Sequence, residues 1–201
     1  FQHTKRTFMD TKEPMLCSDW RIYRGGSVFI EGAENCIIDH CTFSNLGGNA
    51  VFVNSYNHRV SIQTCLFEDC GASGVVFFGN YDAVREIRKK GDDILREGPF
   101  DLTPGPITEN HPSECLVENS LMRRLGRIEK QVAGVEISIA RRITVRDCSI
   151  YEVPRAGIDI GNGRWGGHLI EGCDVFDTVL ETGDHGSFNS WGRDRFTTIG
   201  L

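Results

Sequence analysis

The feature that most limits what this chain can become is a short pattern that returns about every 25 residues. Ile38-Asp39-His40-Cys41-Thr42-Phe43, Ile62-Gln63-Thr64-Cys65-Leu66-Phe67, Val117-Glu118-Asn119-Ser120-Leu121-Met122, Val145-Arg146-Asp147-Cys148-Ser149-Ile150 and Ile170-Glu171-Gly172-Cys173-Asp174-Val175 all read apolar, two polar, small, variable, apolar. The small residue falls at 41, 65, 120, 148 and 173, at intervals of 24, 55, 28 and 25 residues. Removing an insertion of roughly 30 residues brings the long interval to the common period, which is the mark of stacked structural repeats.

The other half of each unit opens with small residues and continues as a short β-rich run, as in Gly48-Asn49-Ala50-Val51-Phe52-Val53, Ser73-Gly74-Val75-Val76-Phe77-Phe78, Ala133-Gly134-Val135-Glu136-Ile137-Ser138-Ile139 and Ala156-Gly157-Ile158-Asp159-Ile160. Each unit therefore holds at least two short strands, and no segment carries helical periodicity long enough for a crossover helix. Doubly wound and barrel α/β folds are excluded, and the Leu-x-x-Leu-x-Leu signature of leucine-rich repeats is missing. What remains is an all-β fold, a right-handed single-stranded parallel β-helix, in which coils stack at about 4.8 Å and equivalent residues form columns.

Composition then takes on meaning. Gly at 23 of 201 residues exceeds the usual ~7% and is expected to mark coil corners. Cys41, Cys65, Cys148 and Cys173 fall in one column, with Cys36 and Cys115 sharing another position. Small apolar side chains filling a narrow interior is the favoured reading. Disulfides between rungs and a metal site are the alternatives, although the Cys-x4-Cys pairs 36/41 and 65/70 lack the spacing of zinc knuckles. The net charge of −6 and pI near 5.5 argue against a nucleic-acid partner. No apolar run reaches the roughly 18 residues of a membrane span. The chain starts at Phe1 without a signal-peptide pattern and stops soon after a dense motif, so residues 1–201 are expected to be one partial β-helix domain, five or six coils of a longer solenoid.

Residues 80–112 interrupt the repeat. Arg85-Glu86-Ile87-Arg88-Lys89-Lys90 predicts a short charged helix, and Gly98-Pro99 with Thr103-Pro104-Gly105-Pro106 predicts a stiff loop that either walls one face or decorates the surface.

Candidate chemistry gathers toward the C-terminal end. Glu181-Thr182-Gly183-Asp184-His185-Gly186-Ser187-Phe188-Asn189-Ser190-Trp191-Gly192-Arg193-Asp194-Arg195 carries acid, imidazole, amide, indole and guanidinium groups too densely to be buried unpaired in a rung, so most are expected to face a groove or one another. Aligning Gly134 with Gly157 sets Glu136 over Asp159, both pointing outward. Adjacent rungs hold such carboxyls about 5 Å apart, as in a retaining glycosidase, and two rungs hold them nearer 10 Å, at or beyond the inverting range. Like charges that close raise one pKa and keep an acid protonated; a plain exposed pair is the alternative. Gly161-Asn162-Gly163-Arg164-Trp165-Gly166 matches G-x-G-x-x-G, but a strand rather than a helix follows, which removes the pyrophosphate site. The same residues are expected to form a turn that exposes Trp165, to stack on a sugar ring, and His168 beside the groove.

The segments Gly157-Ile158-Asp159-Ile160, Trp165-Gly166-Gly167-His168, Cys173-Asp174-Val175-Phe176-Asp177-Thr178, Glu181-Thr182-Gly183-Asp184-His185-Gly186 and Asn189-Ser190-Trp191-Gly192-Arg193-Asp194-Arg195 resemble the pectate-lyase-like right-handed parallel β-helix proteins of polysaccharide-degrading bacteria. Within them the chain looks most like the group that includes glycoside hydrolase family 141, whose activities include α-L-fucosidase and xylanase. Thr7-Phe8-Met9-Asp10, Trp20-Arg21-Ile22-Tyr23-Arg24-Gly25-Gly26 and Thr103-Pro104-Gly105-Pro106 extend the likeness over nearly the whole length. The resemblance implies a secreted, periplasmic or cell-surface monomer that holds a polysaccharide or oligosaccharide in a groove and needs no cofactor. Carried onto this sequence it implies Asp184 and Asp159 as catalytic carboxylates, with Glu136 and Glu181 in reserve. It implies His185, Asn189, Trp191, Arg193, Arg195, Trp165 and His168 as substrate contacts. Two alternatives stand beside the hydrolase. A polysaccharide lyase acting on uronates would use calcium at Asp174, Asp177 and Asp184 and a base such as Arg193 or Lys130; a non-catalytic carbohydrate-binding or adhesin β-helix would tolerate loss of its carboxylates.

Overall fold

The computed structural model describes residues 1–15, 20–85, 103–183 and 185–190. The chain winds through three parallel sheets in turn. The front sheet stacks Val28–Glu34, Val51–His58, Val75–Phe78, Ala133–Ser138, Ala156–Asn162 and Phe188–Ser190. The second stacks Ile37–Asp39, Ser61–Gln63, Leu116–Glu118, Thr144–Arg146 and Leu169–Glu171, and the third Thr42–Ser44, Leu66–Glu68, Leu121–Arg123, Ser149–Tyr151 and Asp174–Val175. Register follows the repeat: Ile38, Ile62, Val117, Val145 and Ile170 are successive partners in the second sheet, and Phe43, Phe67, Met122, Ile150 and Val175 in the third. These columns, with Val51, Val75, Val135 and Ile158 of the front sheet, fill the coil interior.

Cys65, Cys70, Cys115 and Cys148 sit as interior fill with Cys41 and Cys173 packed against them, whereas Cys36 is exposed. All seven within the described residues are free thiols. Cys65, Cys148 and Cys173 each direct sulfur at the carbonyl two residues back, at 3.1, 3.2 and 3.3 Å, and at a carbonyl of the preceding rung, at 3.7–3.8 Å. Ser120 takes the same column position and donates to Glu118 at 2.8 Å while accepting from Cys65 N at 3.1 Å.

The corners correct the reading of glycine. Left-handed φ values near +50° fall on Asn35, Arg59, Glu114 and Arg142 after the front sheet, on His40, Thr64, Asn119 and Asp147 after the second, and on Asn45, Asp69, Arg124 and Glu152 after the third. Each such residue costs on the order of 1–2 kcal/mol. Stacking offsets the strain: the Thr64 N–H donates to Glu118 of the next rung at 3.1 Å, and two corner columns alternate in charge, Arg59–Glu114–Arg142 with both ion pairs at 3.3 Å and Asp69–Arg124–Glu152 with pairs at 2.9 and 4.0 Å. Glycine is needed instead where rungs approach. A Cβ on Gly74 would lie 2.7 Å from the Gly134 carbonyl oxygen, and one on Gly134 would lie 2.7 Å from that of Gly157. Close backbone contact, rather than turning, accounts for this run of glycines.

The interruption of the repeat enters inside a front-sheet rung. Val75–Phe78 pairs with the first half of Val51–His58, a 3-10 turn at Tyr81–Ala83 follows, and Pro112–Ser113 returns to pair with Asn57 and His58 at the far end of that same strand. The helix expected over residues 85–90 lies largely outside the described residues. A second apolar cluster covers the outer surface of the front sheet. An antiparallel pair, Glu13–Pro14 with Arg21–Ile22, brings Met15, Trp20 and Ile22 onto Phe52, Val76, Phe78, Ala133 and Ala156.

Candidate active site

On the outer surface of the front sheet one column runs Phe52, Val76, Glu136, Asp159, Asn189. Strand alternation puts Val135, Ile137, Ile158 and Ile160 into the coil and turns the residues between them outward. Glu136 and Asp159 are register partners on adjacent rungs, in the alignment expected from Gly134 and Gly157. Their environment differs from the expectation. Neither is exposed, each having 0% of its surface accessible: the cluster of Met15 and Trp20 packs on this face of the sheet, and a Cβ on Gly161 would stand 2.9 Å from the Met15 methyl, 2.8 Å from Glu136 Oε1 and 3.1 Å from Asp159 Oδ2.

The electrostatics follow from that cover. Glu136 is driven well above the ordinary carboxylate range, first by burial and then by Asp159, with Arg155 opposing. Among the described residues, no N–H or O–H donor reaches either Glu136 carboxyl oxygen. The contact with Asp159 becomes a hydrogen bond when Glu136 carries a proton. Asp159 is treated differently, since Asn189 Nδ2 donates to its Oδ1 at 2.6 Å. Arg155, itself buried, places its guanidinium 4.3 Å from the Trp20 ring centre and bonds the ring Nε2 of half-buried His185. The result is one carboxyl pushed toward its protonated form beside another that accepts from an amide, with a guanidinium and an imidazole close by. Such a pair can give a proton from one member and accept one, or attack, with the other.

Four of the expected residues meet here: Glu136, Asp159, Asn189 and His185. Three others stand elsewhere. Glu181 forms an exposed ion pair with Lys130 at 2.8 Å, which also ties up the lysine considered as a lyase base. Trp165, expected to be exposed, is only 5% accessible and packs on His111, ring centres 4.5 Å apart. Its partner comes from the interruption of the repeat, so the turn folds inward against it. His168 does not face a groove: Nδ1 accepts from the Ile143 N–H at 3.1 Å, and burial lowers its pKa to about 4. Asp184, Trp191, Arg193 and Arg195 lie outside the described residues. Trp20, Met15 and Arg155 have no role in the site on the sequence reading: Trp20 and Met15 precede the first repeat, and Arg155 lies in the turn just before the Ala156–Asn162 strand. Among the described residues, no group of three or more His, Cys, Asp or Glu is placed to hold a metal ion, and no helix is long and apolar enough to cross a membrane.

Comparison with known proteins agrees with this architecture. Residues 15–88 match the family model described as "Right handed beta helix region". A solved structure named "Glycoside hydrolase" superposes with a TM-score of 0.61 at 17% identity, covering 86% of this chain and 28% of that one. The chain thus spans little more than a quarter of the length of the protein it superposes on, and at that identity the likeness is one of fold. No curated protein matches the sequence. The class that fold and comparison define is the right-handed parallel β-helix.

Proposed function

We propose that this chain is part of a carbohydrate-active β-helix protein, a glycoside hydrolase acting on a complex polysaccharide through two carboxyl groups. The observation that carries the reading is the adjacent-rung pair Glu136 and Asp159 on the outer face of the front sheet. Glu136, held protonated, is the acid toward the glycosidic oxygen. Asp159, supported by Asn189, is the carboxylate that attacks the anomeric carbon. A one-rung separation, about 4.8 Å, matches the close spacing of retaining enzymes. In this reading His185 and Arg155 meet sugar hydroxyls once Met15 and Trp20 are displaced, and Asp184 stays the alternative carboxylate that the family resemblance suggests. A hydrolase acting on a glycosidic bond accords with the name of the structure on which the chain superposes.

The test is a panel of polysaccharides and oligosaccharides offered to the protein and to its Glu136→Gln and Asp159→Asn variants, following both new reducing ends and unsaturated products absorbing in the ultraviolet. Reducing ends without unsaturation, lost in both variants, are expected. Unchanged turnover in both would remove the pair from catalysis. The burial of the pair favours a second reading, in which it locks the covering segment onto a non-catalytic binding solenoid; that reading predicts no turnover by the wild type and unimpaired glycan binding by Asp159→Asn.

A further inference from the structure

A second polar site lies where the interruption of the repeat rejoins the front sheet. His58, Ser113 and Arg141 occupy equivalent positions on three successive rungs, His58 in register with Ser113 and Ser113 bridged to Arg141. His58 Nδ1 lies 3.0 Å from Ser113 Oγ. On the other side of the imidazole, His58 Nε2 is 3.6 Å from Glu114 Oε2, an ion-pair distance. Glu114 stands at a left-handed corner, which swings its side chain to the far edge of the ring, and Arg59 and Arg142, both at 3.3 Å, hold its carboxyl below the usual range. All three groups open into a cavity of about 300 Å³, lined also by Tyr56, His111 and Arg141. Among the described residues, Arg141 makes no ion pair.

We infer that this cavity is an acyl-ester hydrolase site, with Ser113 as nucleophile, His58 as general base and Glu114 as the positioning residue that orients the imidazole. The tautomer that directs Nε2–H at Glu114 leaves Nδ1 free to accept, the arrangement such a relay requires. Ser113 Oγ bonds to the ester carbonyl carbon as its proton passes to His58 Nδ1, and the carbonyl electron pair moves to oxygen beside Arg141. Collapse breaks the bond to the alcohol oxygen, which leaves with the proton from His58. Water then attacks acyl-Ser113, giving His58 a proton that returns to Ser113 as the carboxylic acid departs. The cavity lies at the small end of ligand sites, which suits a short acyl group such as acetyl. This inference does not rest on the Glu136–Asp159 pair.

The experiment treats the full chain with a fluorophosphonate probe and follows 4-nitrophenyl acetate hydrolysis in parallel. One covalent adduct, mapped to Ser113, is expected, with turnover falling about 10³-fold in Ser113→Ala and His58→Asn. Glu114→Gln is expected to lower kcat at least tenfold with KM unchanged, and Glu114→Asp to restore part of it. Because the wild-type protein alone reports the adduct, a misfolded variant does not hide the answer. Absence of an adduct on Ser113, or Ser113→Ala turnover within twofold of wild type, overturns the assignment.

Discussion

Asn189 donates from Nδ2 to Asp159 Oδ1 at 2.6 Å across one rung, while Glu136, in register on the other side of Asp159, presents a carboxyl and no amide. Asp159 therefore has an amide donor on one side and a second carboxyl on the other. Replacing the amide by Leu leaves a buried acceptor without its donor, at a cost of about 1–3 kcal/mol in denaturant unfolding. Asn189→Asp puts three carboxyls in one column, so its loss of stability is expected to be larger at pH 8 than at pH 5. Equal losses at the two pH values would mean that the column does not interact.

Glu136 sets the pH dependence of stability. Its pKa is raised in the folded protein above the ordinary value of 4.5, first by burial and then by Asp159. The folded state therefore keeps a proton that the unfolded chain releases. The stability tied to this proton is complete below pH 4.5 and drains away as pH rises through the folded value. Glu136→Gln carries no titrating proton, so its melting temperature is expected to fall less than that of wild type between pH 5 and 8. Parallel profiles for the two proteins would contradict this.

Contact between rungs leaves no room for a methyl group at Gly134, where a Cβ would stand 2.6 Å from Ile150 Cγ2 and 2.7 Å from the Gly157 oxygen. Gly134→Ala is expected to destabilise by about 1–3 kcal/mol. Gly183→Ala is the control, since nothing lies within 4 Å of its added carbon. Thermal melts of the two variants check the contrast.

Thiol chemistry reads the interior directly. Burial pushes Cys70 and Cys148 up to about 12 and Cys115 to about 11, whereas Cys36 is exposed. In native protein an aromatic disulfide reagent is expected to label Cys36 early and to reach Cys70, Cys115 and Cys148 only after denaturation. Rapid native labelling of Cys148, followed by peptide mapping, would show that the column is open to solvent.

What the sequence makes legible follows from where the information lies. Columns repeat every coil, so Ile62, Phe67 and Cys65 can be placed from their neighbours, and the same periodicity brings Glu136 onto Asp159. Features built between the repeat and segments outside it leave no such trace. The burial of Glu136 depends on Met15 and Trp20, from a hairpin before the first coil, and that of Trp165 on His111, from the interruption. Glycine misleads for a related reason. Its frequency is visible, but whether it serves a positive φ or a close approach depends on the neighbouring rung, as Asn119 and Gly134 show. The proximity of His58 to Ser113 has no local signal, being made by register across 55 residues.

The excursion between Val75–Phe78 and Pro112–Ser113 departs from and returns to one strand of the same neighbour. Registry is thereby held by the coil beneath and not by chain continuity, so the scaffold behaves like a ruled page on which a line can be broken, extended into the margin and resumed without displacing the lines below. Changing the length of that excursion is then a change of chemistry at the margin, since Ser113 meets His58 wherever the returning strand finds its place.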